Sequence, residues 1–264
     1  MIMESRAGNN RRAISRKMGY RDMLFYGECA TDTGIYRKNN QDAILFKKMG
    51  RNGQDIALGV VCDGVGGLEH GEAASRCVGG AASEWFDDIA GWIDIGTVDA
   101  DILFSHFKDA AEEWNRQVRE IVVRQGIHTG TTMSAVLLLR DRYFIIHVGD
   151  SRIYRYRSHL ELMTTDESMA KVCDGRMKLF LMNYVGRDDI LSFSAAEGIL
   201  SPGDIFLYGS DGFYHLFTES DMRNICGSID SIGRGRLCRA VIETVIQRGE
   251  RDNISVGVIH CTEQ

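Results

Sequence analysis

Proline is nearly missing from this chain: Pro202 is the one example among 264 residues. Stiff proline-rich arms are thereby excluded, and no low-complexity linker divides the sequence. Long apolar runs are missing too. Nothing approaches the roughly 18 residues of a membrane-spanning helix, and the first residues lack the apolar centre of a signal peptide. The seven cysteines (29, 62, 77, 173, 226, 238 and 261) contain no Cys-x-x-Cys pair, so neither a zinc site nor a disulfide framework is indicated. Cys62, Cys77 and Cys238 fall inside apolar runs, where a reduced thiol serves as a small hydrophobe. A reducing, cytoplasmic setting is the expectation. Positive charge is also short, and a formal net charge of −6 lacks the basic footprint of a general nucleic-acid binder.

What is present organises itself into blocks. Residues 1–21 carry Arg6, Arg11, Arg12, Arg16, Lys17 and Arg21 against a single Glu4, and residues 1–23 are expected to form a disordered basic leader. Residues 24–264 are expected to form one domain, long enough to bury a substantial core. Ala43–Phe46 and Ile56–Cys62 read as strands joined through Gly50-Arg51-Asn52-Gly53. Residues 70–89 and 99–125 place apolar side chains at helical spacing, including Trp85, Phe107 and Trp114. Short apolar runs follow at Met133–Leu139, Tyr143–Val148, Arg152–Tyr156 and Leu160–Met163, with breaks too short for anything but antiparallel pairing. Residues 166–181 resist assignment. Ile205–Tyr208 and Ile254–Ile259 read as further strands, with helical patterns at 219–226 and 232–248 between them. Strands and helices in blocks predict an α+β fold, a four-layer α-β-β-α sandwich of two antiparallel sheets flanked by helix pairs.

The stretch that carries chemistry is Val60-Val61-Cys62-Asp63-Gly64-Val65-Gly66-Gly67. A buried strand ends on a carboxylate followed by glycines, and an Asp-Gly turn alone would explain it. The pattern repeats, however. Asp150 closes Tyr143–Val148, Asp211 closes Ile205–Tyr208, and Asp252 opens Ile254–Ile259. Four such anions gathered together repel one another unless a counter-charge intervenes. An all-oxygen set favours magnesium or manganese over zinc. Two such ions about 3.5–4 Å apart would share a bridging water, deprotonated near neutral pH and suited to attack a phosphoester. Arg37 is the candidate for holding the phosphate, since a guanidinium fork fits two phosphate oxygens.

The ordered pieces resemble the metal-dependent serine/threonine phosphatases, the PPM or type two C protein phosphatase family, in its bacterial form. They run Thr31-Asp32-x-Gly-x-x-Arg37-x-x-Asn40-Gln41-Asp42, Asp63-Gly64-Val65-Gly66-Gly67, and Gly71-Glu72-Ala73-Ala74-Ser75. Then come Gly130-Thr131-Thr132, Val148-Gly149-Asp150-Ser151-Arg152, Gly203-Asp204, Ser210-Asp211-Gly212 and Asp252-Asn253-Ile254-Ser255-Val256. The resemblance implies two or three Mg2+ or Mn2+ ions. Asp63 would bridge two of them, the Gly64 carbonyl would complete the coordination of the second ion, and Asp211 and Asp252 would bind the first. Asp150 with Asp211 would form a third position, while Asp32 and Asp42 would orient coordinated water. Arg37 would hold the substrate phosphate, and attack would be direct, with no phosphoenzyme. Implied partners are phosphorylated proteins, with a serine/threonine kinase as the opposing enzyme. Three positions depart from the family. Gln41 stands where many members have Glu, and Val65 where animal and plant members carry a histidine proposed as general acid. The segment between Asp166 and Gly186 is shorter than the usual flap. His70 is a lesser candidate proton donor. The alternative to an active enzyme is a pseudo-phosphatase acting as a regulatory binding module.

Overall fold

In the computed structural model, the residues described are 23–51, 54–65, 70–173, 176–229 and 235–263. The expected leader lies outside them apart from Met23, and so do Gly66 and Gly67. Among the described residues there are twelve strands, beginning with β1 (Met23–Asp32), β2 (Asp42–Arg51), β3 (Gln54–Asp63), β4 (Met133–Leu139), β5 (Arg142–Val148) and β6 (Arg152–Tyr156). The rest are β7 (Leu160–Leu162), β8 (Ser168–Cys173), β9 (Arg176–Leu181), β10 (Ser194–Ile199), β11 (Ile205–Gly209) and β12 (Ile254–Glu263). Helices are α1 (Gly71–Trp92), α2 (Ala100–Gln125), α3 (Asp211–Tyr214), α4 (Glu219–Gly227) and α5 (Leu237–Gln247).

Two five-stranded antiparallel sheets hold most of the strands, in the orders β1-β12-β11-β6-β7 and β10-β5-β4-β3-β2. Period-two alternation on the central strands accounts for the layering. On β3, Ile56, Leu58, Val60 and Cys62 face α1 and α2, and Ala57 and Val61 face the opposite sheet. On β11, Ile205 and Leu207 face the α4–α5 side, while Phe206 and Tyr208 fill the space between sheets. The Tyr208 hydroxyl crosses that space and donates to the Leu45 carbonyl at 2.9 Å. Strands buried on both faces explain why these runs are almost continuously apolar. The expected four-layer sandwich is the fold observed.

The helix boundaries follow their caps. The Asp99 carboxylate accepts from the Asp101 and Ile102 amides at the start of α2, and Gly126 ends it in the left-handed region. A Thr218–Asp221 capping box opens α4. The last long helix was expected from residue 232, but α5 begins at Leu237, and residues 230–234 lie outside those described. Its first amides are held by Glu28 Oε1 on β1, at 2.8 Å to Leu237 and 3.2 Å to Cys238. The unassigned segment 166–181 is the β8–β9 hairpin, which pairs only with itself. Edge strand β10 and the single turn α3 were also not anticipated.

Candidate active site

Five separate elements deliver acidic side chains to one edge of the sandwich. Asp42 opens β2 and Asp63 ends β3, directly opposite each other in the ladder. Asp150 sits in the β5–β6 turn, Asp211 begins α3 where β11 ends, and Asp252 precedes β12. Their mutual influence shows in their proton affinities. Burial pushes Asp42 up to about 7, Asp211 and Asp252 add to it, and hydroxyls of Ser255 and Ser210 oppose it. Burial raises Asp63 well above the usual carboxylate range, and Asp42, Asp211, Asp150 and Asp252 all push the same way. Asp150 is raised to about 6 by burial and then by Asp211. Asp211 is raised chiefly by burial, with its carboxyl inside hydrogen-bonding reach of Asp63.

The backbone around Asp63 is clasped from β4. The Asp63 amide donates to Thr132 Oγ1 at 2.9 Å, and its carbonyl accepts from the Thr132 amide at 2.8 Å and from Thr131 Oγ1 at 2.9 Å. Gly64 then threads between Gln41 and Gly71. A Cβ there would sit 2.6 Å from the Gly71 carbonyl carbon and 2.9 Å from the Gln41 oxygen, so no side chain fits. On the far side of the cluster, Tyr214 donates to the Asp150 carbonyl at 2.8 Å, with the Arg152 guanidinium stacked 3.9 Å over its ring. Arg152 itself is clamped by both oxygens of Asp166.

Arg37 comes to the rim of the cluster, where it donates to Asp252 Oδ2 at 2.5 Å. Among the described residues, Asp32 makes no hydrogen bond to the acidic group; its Oδ1 accepts from the Gly34 amide at 2.8 Å and shapes the loop. Gln41 donates to Glu72 at 3.1 Å, so a carboxylate from α1 stands beside the position where the family commonly has its own. His70 has left-handed backbone, φ 60, with Nδ1 3.6 Å from Glu72.

The donor set suits a hard divalent cation. Every candidate ligand is oxygen, the carboxylates outnumber the arginine bonded to them, and Oδ1 of both Asp42 and Asp211 is buried with no hydrogen-bond partner among the described residues. Among the described residues, no three acidic, histidine or cysteine side chains yet enclose a common point. Arg37 holds one Asp252 oxygen, and Asp63 turns toward Asp211.

Several residues that build this edge had no role in the sequence reading. Asn253 is buried, donates to the carbonyls of Thr33 at 2.9 Å and Asn39 at 3.0 Å, and accepts from the Gln41 amide at 2.9 Å. Ser210 donates to Asp42 Oδ2 at 2.8 Å, and Ser255 to Thr31 Oγ1 at 2.8 Å. Their signal was only adjacency to the aspartates in the motifs.

With this geometry in view, comparison with known proteins is informative. A family model described as protein phosphatase 2C matches residues 36–172. A putative protein phosphatase 2C-type protein of Streptococcus pyogenes is 25% identical over 245 residues, covering 87% of this chain and 95% of its own. Protein phosphatase PhpP of Streptococcus pneumoniae is 25% identical over 249 residues, covering 89% and 96%. The solved catalytic domain of the serine/threonine protein phosphatase PstP, in complex with two manganese ions, superposes with a TM-score of 0.73 at 23% identity. That superposition covers 91% of this chain and all of the other.

Proposed function

The chain belongs to the protein phosphatase 2C family, and on that footing we propose that it is a metal-dependent phosphoserine/phosphothreonine protein phosphatase. The observation that carries this reading is the convergence of Asp63, Asp150, Asp211 and Asp252, with Asp42 behind them, where burial and mutual repulsion raise the proton affinity of Asp42, Asp63, Asp150 and Asp211. Such a cluster is costly to the fold alone and sensible around cations. Asp63, the Gly64 carbonyl, Asp150, Asp211 and Asp252 would hold two or three Mg2+ or Mn2+ ions; the manganese of the PstP structure supports that choice. When bound, such ions supply Lewis acidity and an acidified water to phosphoester hydrolysis. The protein's own part is positional. Thr131 and Thr132 fix the Asp63 backbone, Ser210 holds Asp42, and Asp42 and Asp32 would orient coordinated water.

Arg37 stands at the rim with an exposed fork, suited to exchange Asp252 for two oxygens of a phosphate dianion. Residues 24–264 act as one catalytic domain in this reading, because β1 and β12 pair along their whole length. Among the described residues, no helix is long and apolar enough to cross a membrane. We place the enzyme in the cytoplasm, opposing a serine/threonine kinase.

Manganese-dependent release of phosphate from p-nitrophenyl phosphate and from a phosphothreonine peptide is the expected result, abolished by EDTA and by Asp63→Asn. Arg37→Ala should weaken turnover by about 100- to 1000-fold, the range for one well-aimed stabilising contact, with manganese still bound. Tight manganese binding by the wild type without turnover of either substrate would overturn the reading in favour of a regulatory module.

A further inference from the structure

The loop between β1 and β2 carries two large apolar side chains in solvent beside Arg37: Ile35 is 64% exposed and Tyr36 54%. Loop tips usually move, and exposed apolar groups there fold back on the nearest surface. This one is held. Asn253 bonds it at Thr33, Asn39 and Gln41. Asn40 donates to Thr31 Oγ1 at 2.8 Å and accepts from the Asp42 amide. Gly34, at φ +71, lies so close to the Asp252 carbonyl that a Cβ would approach its oxygen to 2.6 Å. The tip is therefore a fixed platform.

Its charge is as distinctive as its apolarity. The Arg251 guanidinium stacks 5.0 Å over the Tyr36 ring. Among the described residues, neither Arg251 nor Lys38 pairs with a carboxylate. In a chain of net charge −6, beside an acidic centre, two unmatched cations, Arg251 over an exposed aromatic ring and Lys38 two residues further along the loop, form a local reversal of sign. A peptide whose phosphate is held by Arg37 places its neighbouring residues about 3.8 Å further along the backbone per step, over Tyr36 and Arg251.

We propose that Tyr36 and Arg251, with Lys38 beside them, form a subsite that selects phosphopeptides carrying acidic residues next to the phosphorylated serine or threonine. The flanking side chain lies along the Tyr36 face with its carboxylate on the Arg251 guanidinium. The inference rests on the phosphatase reading and extends it to substrate choice.

The test compares kcat/KM for two phosphothreonine peptides that differ only in flanking glutamates or flanking lysines, with p-nitrophenyl phosphate in parallel. The wild type should favour the acidic peptide by about fivefold, the scale of one exposed ion pair, chiefly through KM. Arg251→Glu should reverse the order, and Tyr36→Ala should reduce the preference while Tyr36→Phe retains it. A merely structural role for either residue would lower both peptides together and leave their ratio unchanged. Equal use of the two peptides by the wild type, or a ratio indifferent to Arg251→Glu, would overturn the subsite while leaving the phosphatase reading intact. Failure of the wild type to hydrolyse even p-nitrophenyl phosphate would overturn both.

Discussion

Asn253 makes three hydrogen bonds to a loop more than two hundred residues earlier in the chain, with its side chain buried. Removing it strands two carbonyls and an amide that the loop cannot easily turn toward water. Asn253→Ala should therefore cost about 2–4 kcal/mol, the scale of a few lost bonds with partners left unpaired. Denaturant unfolding measures the cost; a change below about 0.5 kcal/mol, the size of an ordinary surface substitution, would contradict the role. The same variant should raise KM for phosphopeptides, since Arg37 rides on the loop that Asn253 fixes. The aspartates were legible from sequence because each interrupts an apolar strand. Asn253 was not, because an amide beside a catalytic-looking aspartate has no periodicity to break. Ser210 and Thr132 stayed hidden for the same reason: their work depends on which strand lies opposite.

Among the elements, apolar period decided what could be read. Strands β3, β4 and β11 are buried on both faces, and α1 and α2 carry wide apolar stripes, so their existence and type followed from pattern. Strand β10 lies at a sheet edge with mostly exposed residues and shows no such signal. The β8–β9 hairpin has Val172 73% and Met177 75% exposed, so its apolar residues report no core. Its base is tied to the body differently. His147 on β5 meets Ser134 Oγ at 2.8 Å through Nδ1 and the Thr165 carbonyl at 3.0 Å through Nε2. Just beyond, Glu167 Oε2 accepts from the Gly149 amide and from Asn183, joining both legs of the hairpin to the turn that bears Asp150. Burial lowers the His147 proton affinity from its ordinary 6.5, against the pull of the Thr165 carbonyl, Glu167 and Asp166. As pH falls, the unfolded chain takes up this proton first, so the contribution of His147 is complete above about 6.5 and declines below it. Wild type should thus lose stability relative to His147→Gln between pH 6.5 and 5, by up to about 1.4 kcal/mol per unit of depression. Thermal melts of the two proteins across that range decide the matter, and a constant difference would exclude titration of this imidazole.

For the molecule as a whole, the acidic edge is a debt carried by an otherwise well-packed sandwich. Cations that bind the folded chain alone should lift its melting temperature. At one hundred times the dissociation constant the gain is about 2.7 kcal/mol, or roughly 5–10 °C for a domain of this size. Calorimetry with manganese and then excess EDTA reads it directly, and an unchanged transition would argue that the aspartates do not act as ligands. The fold class was legible at this scale because short breaks between strands permit only antiparallel neighbours. The pairing of β1 with β12 was not, since nothing local links strands more than two hundred residues apart. That pairing bears on how the protein comes into being. All ten residues of β1 await partners made more than two hundred residues later, and Asp252 and Asn253 emerge just ahead of those partners. A nascent chain can bury most of its α1–α2 half early, yet the acidic edge stays incomplete until residue 252 has been made. Chains that stop short of β12 should therefore lack the proposed cation site.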